Sequence, residues 1–163
     1  METNLTKDST ETFQPFATRG SIEEVEQGVI FMPKFNADGL IPCIVTDHQT
    51  HLVLMFAYMN ASALSMTIRT GEAHYWSRSR EEIWRKGSTS GHVQHIVDMR
   101  IDCDQDSIWL IVEQKGAACH VGYHTCFYRS VDKGESSDTK KMTLATTEKN
   151  KKFDPSKVYG TRK

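Results

Sequence analysis

No apolar run in this sequence is long enough to cross a bilayer: the longest, LVLMFAYM from Leu52 to Met59, is eight residues, and a spanning helix needs about 20. The first residues, METNLTKDSTETFQPF, lack the charged start, apolar stretch and small-residue site of a secretory leader. An excess of either charge is missing too. Lys and Arg number 20 against 21 Asp and Glu, giving a net charge of -1 and a pI near 6.6. That balance argues against a basic footprint for coating nucleic acid, so any anion site has to be built locally. We expect a soluble, cytoplasmic protein with neither a membrane nor a nucleic-acid partner. No internal repeat is visible, and 163 residues suit one domain with a proper core.

Cysteine is scarce, at Cys43, Cys103, Cys119 and Cys126. Without a leader these read as metal ligands or free thiols rather than a disulfide framework. Cys43 lies in the apolar run LIPCIVTD, where a small buried thiol is the ordinary reading.

The patterning predicts an α+β domain with a small mixed or antiparallel sheet and one or two helices. LIPCIVTD and HLVLMFAYM, joined by HQT, read as a hairpin. Asn60 is a candidate cap for the helix ASALSMTIRT, with Ala63, Leu64 and Ile68 along one side and Gly71 as its stop. EAHYWS, VQHIVDMRID and SIWLIVEQ read as strands, RSREEIWRKG as a charged connection, and IEEVEQGVIF as a short helix or strand. After Phe127 the chain is rich in Lys, Ser and Thr without usable periodicity. The expected organisation is an extension over 1–35, a domain over 36–130 and a polar, flexible tail over 131–163.

Three segments carry chemistry. DCDQD places Asp102, Asp104 and Asp106 at alternate positions around Cys103; along an extended segment the carboxylates converge on one face and the thiol points to the other. Hard cations such as magnesium take oxygen, whereas zinc takes thiolate and imidazole. A solvated acidic turn is the plain alternative. A calcium loop is disfavoured, because Ser107 stands where such a loop needs glycine.

GAACHVGYHTCF supplies Cys119, His120, His124 and Cys126. Its CxxxxxxC spacing is not that of a zinc knuckle. Cys103, Cys119 and Cys126 together would give zinc three thiolates, leaving one position for His120, His124 or a water; the alternative is buried thiols near a strand end. The third segment, HYWSRSREEIWRKGSTSGH, offers Arg78, Arg80, Arg85 and Lys86 beside the small loop Gly87, Ser88, Thr89, Ser90 and Gly91. Its amides and hydroxyls suit phosphate oxygens; its glycine spacing is not a Walker loop. Trp76 and Trp84 are candidates for stacking on a base, or for the core.

Taken in order, YMNASAL, WSRSREEIWRKGSTSG, DCDQD and GAACHVGYHTCF closely resemble the successive motifs of the phosphoribosyl-AMP cyclohydrolase family, over about Leu40 to Phe127. The resemblance implies an intertwined homodimer that opens the adenine ring of 1-(5-phosphoribosyl)-AMP with water at C6. It implies zinc on Cys103, Cys119 and Cys126, shared between chains, and magnesium on Asp102, Asp104 and Asp106. With that substrate, Arg78, Trp84, Lys86, Gly87, Ser88, Thr89 and Ser90 are the expected binding residues and His120 the proton-transfer group, His124 being second choice. Two other classes remain: a zinc-stabilised nucleotide-binding module, and a deaminase, which the missing HxE and PCxxC pair disfavours.

Overall fold

Apolar residues on both faces mark the central strand. In β1 (Leu40–Asp47), Ile41, Cys43 and Val45 are fully buried. The turn that follows returns the chain as β2 (Val53–Asn60), antiparallel to β1. In this computed structural model, which describes residues 14–132, 134 and 137–160, β1 also pairs in parallel with β6 (Ile108–Gln114). That parallel pair makes the sheet mixed. With β3 (His74–Ser77), β4 (Glu82–Arg85) and β5 (Gln94–Ile101), the strand order is β4-β3-β2-β1-β6-β5.

Asn60 caps α2 (Ala61–Thr70): its side-chain oxygen accepts the Ala63 N–H at 2.8 Å, and Gly71 closes the helix at φ +69°, where glycine is unstrained. The expected apolar stripe is corrected at one position. Ile68 is exposed, and Thr67 is buried in its place. The Thr67 hydroxyl donates to the Ala63 carbonyl at 2.9 Å and accepts the His74 N–H at 2.9 Å, so its burial leaves no polar group unpaired.

The sheet curls sharply after β2. A single residue pair, Tyr58 with Trp76, joins β2 to β3. The segment before β3 instead bonds to β5, with Ala73 N–H to the Gln94 carbonyl at 3.0 Å and Ile96 N–H to the Gly71 carbonyl at 2.8 Å. Inside the curl, the fully buried Tyr75 hydroxyl donates to Gln94 Oε1 at 2.6 Å, and Gln94 Nε2 donates to Gln114 Oε1 at 2.7 Å. This buried polar chain sits among Leu54, Met59, Leu64 and Leu110 and links three strands.

Two elements differ from the sequence expectation. β4 lies inside RSREEIWRKG; its exposed Glu82 and Arg85 conceal a strand whose Ile83 and Trp84 pack on the core. Among the described residues there are three helices rather than one or two, the others being α1 (Ile22–Gln27), closed by a Ser21–Glu24 capping box, and α3 (Pro155–Tyr159). The polar tail has attachments as well. β7 (Arg129–Asp132) pairs with β8 (Thr143–Thr146), and residues 147–160 run back against the domain. Residues 1–13 of the expected N-terminal extension lie outside the described residues.

Candidate active site

The antiparallel β5–β6 hairpin organises the chemistry. β5 begins just after the KGSTSG loop and ends at DCDQD, and β6 returns to the loop that carries Cys119 and Cys126. Seven paired residues at about 3.3 Å each separate these ends by roughly 20 Å. One end therefore gathers oxygen donors and the other thiols.

At the acidic end the three carboxylates do converge: one oxygen from each of Asp102, Asp104 and Asp106 lies within 4.8 Å of the others. The means differ from alternation along an extended segment. The segment is a turn, in which Gln105 N–H reaches the Asp102 carbonyl at 3.2 Å and Gln105 takes φ +59°. Asp102 Oδ1 accepts the N–H groups of Asp106 and Ser107, each at 2.9 Å, which fixes that carboxylate. Asp106 is held above the usual carboxylate range, first by lost hydration and then by the like charges of Asp104 and Asp102. The Lys34 ammonium lies 3.5 Å from both Asp104 and Asp106. A cluster that draws in an ammonium in this way has the oxygen-rich character that magnesium requires.

Neither Lys34 nor the role of Gln105 was read from the sequence. The buried Gln105 side chain accepts the Met32 N–H at 2.7 Å and donates to the Val25 carbonyl at 2.9 Å, tying the acidic turn to the α1 segment. Arg19 adds donors to the Met32 and Asp104 carbonyls at 2.9 and 3.0 Å. Between that segment and the turn lies a cavity of about 380 Å³, lined in part by Phe31, Asp102 and the exposed Cys103. No short-range pattern announces these contacts; Gln105 lies 80 residues from Val25.

At the other end, the Cys119 and Cys126 thiols lie close enough across the loop to influence each other's ionisation. The Cys126 side chain, loop amides and nearby His120 pull the Cys119 thiol down to about 6, while Cys126 is pushed up by its Cys119 neighbour and by burial. Cys126 N–H bonds to the Leu54 carbonyl at 2.7 Å, and the Thr125 hydroxyl to the Val53 carbonyl at 2.7 Å, docking the loop on β2. Two adjacent thiols, one readily ionised, are the donor chemistry that zinc takes.

Lys86 is buried beside this pair; desolvation lowers its pKa, and the charges of Cys126 and Cys119 oppose that shift. Gly87 adopts φ +85°, and a Cβ there would come within 2.5 Å of the Val93 nitrogen, so only glycine fits. Ser88 and Thr89 are exposed, and the Ser90 hydroxyl accepts the His92 N–H at 3.2 Å. Half-buried His92 lies below its usual range, through burial and the charge of Lys86. His120 is exposed next to Cys119. His124 gives its backbone N–H to Glu148 at 2.9 Å.

Two expected binding residues lie apart from this loop. Arg78 is at the far end of the β3–β4 hairpin, its guanidinium 4.3 Å from the centre of the Tyr58 ring. Tyr58 lines a 280 Å³ cavity with Lys34 and Asp106, which places Arg78 toward the acidic end. Trp84 packs on buried Tyr75 with ring centres 5.1 Å apart. Cys103 does not join Cys119 and Cys126 either: the acidic triad is the sole close group of three metal-ligating side chains among the described residues.

Fold and site define a small mixed-sheet protein with an oxygen-donor pole, a thiol pole and a glycine-shaped loop. The chain belongs to the phosphoribosyl-AMP cyclohydrolase family. The family model of that description matches residues 55–128. A Rhodopseudomonas palustris phosphoribosyl-AMP cyclohydrolase is 52% identical over 139 residues, 85% of this chain and 90% of the relative. Relatives of the same name from Nitrobacter hamburgensis and Nitrobacter winogradskyi are 49% identical over 142 residues (87% of this chain, 95% of the relative) and 51% over 139 (85% and 94%). Among the described residues no helix is long and apolar enough to cross a membrane.

Proposed function

We propose that this chain hydrolyses the N1–C6 bond of 1-(5-phosphoribosyl)-AMP, a step of L-histidine biosynthesis, as a cytoplasmic homodimer. Each site would take zinc on Cys119 and Cys126 of one chain with Cys103 of the partner, and magnesium on Asp102, Asp104 and Asp106. The observation that carries this reading is the separation of the thiols. Cys103 and the Cys119–Cys126 pair lie at opposite ends of a hairpin roughly 20 Å long, so a three-thiolate centre requires two copies of the chain. Such pairing would also bring the acidic pole of one chain to the thiol pole and KGSTSG loop of the other.

When bound, zinc supplies the Lewis acidity that brings a water pKa near 7, and magnesium supplies positive charge for phosphate oxygens. The remaining chemistry is assigned to the chain's own residues. Water adds at C6, one of its protons passing to the exocyclic nitrogen; the other moves to N1 as the C6–N1 bond breaks, leaving a carboxamide and a formimino nitrogen. His120, exposed beside Cys119, would carry a proton between these atoms. The Gly87 turn and the hydroxyls of Ser88 and Thr89 would hold a phosphate, with Lys86 as a nearby cation. Arg78, at the Tyr58 side, would serve a phosphate nearer the acidic pole, and Trp84 would contribute by supporting Tyr75 rather than by stacking on a base.

The test is steady-state opening of phosphoribosyl-AMP, followed by ultraviolet absorbance with magnesium present and zinc retained, stripped or restored. Turnover that disappears on stripping and returns with zinc is expected. A folded, zinc-loaded dimer without turnover would overturn the assignment.

A further inference from the structure

The outer side of the thiol loop is held by the polar tail. Glu148 Oε2 accepts the His124 N–H at 2.9 Å and its Oε1 accepts the Thr125 N–H at 3.0 Å, so one carboxylate grips two consecutive amides just before Cys126. On either side of that grip, further bonds repeat the attachment. Thr147 N–H reaches the Tyr128 carbonyl at 2.8 Å, and Lys152 N–H reaches the Gly122 carbonyl, between the two cysteines, at 2.7 Å. The Phe153 ring meets the His92 ring edge to face at 4.6 Å, and Lys151 lies over Tyr123 at 5.7 Å. At Gly122, with φ +105°, a Cβ would stand 2.5 Å from the Phe153 carbonyl oxygen, so the tail and the loop fit by direct backbone approach.

We propose that residues 147–153 are a clamp on the thiol pole, and that Glu148 is a positioning residue that fixes Cys126 relative to Cys119 for metal binding. The inference rests on the assignment of these two thiols to zinc. The inner side of the loop already has its supports in the Leu54 and Val53 carbonyls. Without Glu148 the amides of His124 and Thr125 lose their acceptor, and the segment leading to Cys126 is free to rotate on its outer side. A carboxylate is the acceptor suited to two adjacent N–H groups, because each of its oxygens takes one charge-assisted bond. Groups that orient ligands without touching the metal typically change metal affinity by about 10- to 100-fold when removed.

The experiment compares full-length Glu148→Ala, Glu148→Asp and Glu148→Gln with the unsubstituted protein and Cys119→Ala. Zinc affinity is read by competition with a chromophoric chelator, ligand geometry by the absorption of the cobalt(II)-substituted protein, and folding by far-ultraviolet circular dichroism. Glu148→Ala and Glu148→Asp, the latter a methylene too short to span both amides, are expected to lose about tenfold or more in zinc affinity. Their cobalt thiolate bands should shift while the circular dichroism stays as in the parent. Wild-type affinity and cobalt spectrum in folded Glu148→Ala would overturn the clamp while leaving the zinc assignment intact. So would loss in Glu148→Gln with none in Glu148→Asp, since charge alone would then explain the effect. If the parent binds no zinc, or Cys119→Ala binds it equally well, the clamp and the zinc assignment both fail.

Discussion

The acidic turn gathers its three donors within five consecutive residues, whereas the thiol loop spans the eight residues from Cys119 to Cys126 and relies on β2 and the tail to shape it. The first is a local structure with an electrostatic problem. Its carboxylates repel, Asp106 is held above its usual range, and Lys34 provides partial compensation. The second has less repulsion, because the two thiols shift in opposite directions, Cys119 down and Cys126 up, so that they do not ionise together. The oxygen pole is therefore limited by charge and the thiol pole by geometry. Substitutions at the acidic end should act through charge and cation concentration, and those at the thiol end through whether a site forms at all.

The sharpest break in this comparison is Cys119→Ala. Turnover should fall below about one per cent of the parent, together with loss of stoichiometric zinc measured by atomic absorption. Asp104→Asn comes next. It should weaken apparent magnesium affinity by about tenfold in initial-rate titrations, with zinc content unchanged; zinc loss in this variant would erase the distinction between the poles. Gln105→Ala sharpens the comparison from the side of packing. It unties the α1 segment from the turn and should cost about 1–3 kcal/mol in urea unfolding, since the Met32 N–H and Val25 carbonyl lose their partner.

The smallest effect is in the pH dependence of the metal-free protein. Cys119 titrates in the folded state at about 6, below its usual 9.0, so the folded form binds fewer protons between these values. Stability from this group should increase as pH rises from 6 to 9 and be lost as pH falls through 6. Asp106 works oppositely. Its pKa is raised from 3.8, so stability should decline as pH rises from about 4 until the carboxyl is ionised. Thermal denaturation of Cys119→Ala and Asp104→Asn across pH should remove the first slope and flatten the second.

Much of this was legible in sequence wherever the signal is short in range. The Asn60 cap, the Gly71 stop and the β1–β2 hairpin declare themselves in short stretches of sequence, whereas the convergence of the acidic residues was legible but not the turn that produces it. β4 was hidden because its solvent-facing Glu82 and Arg85 outweigh Ile83 and Trp84 in so short a stretch. Ile68 and Thr67 exchanged roles because helix periodicity finds the inward face but not the hydroxyl that the His74 backbone requires there. Lys34, Gln105 and Glu148 were unreadable for a common reason: each acts across more than twenty residues on backbone or carboxylate groups that carry no pattern of their own. Arg78 was grouped with Lys86 by proximity in sequence, yet the β3–β4 hairpin sends them to opposite ends.

If one chain holds two half-sites, two inactive variants should complement each other. Cys103→Ala and Cys119→Ala proteins are each inactive on this account, but a mixed dimer contains one site with all three thiols. Equal amounts, denatured and refolded together with zinc, should recover about one quarter of the parent turnover, because half of randomly paired dimers are mixed and each has one of two sites intact. No recovery, from a mixture shown by mass spectrometry to contain mixed dimers, would contradict the shared site.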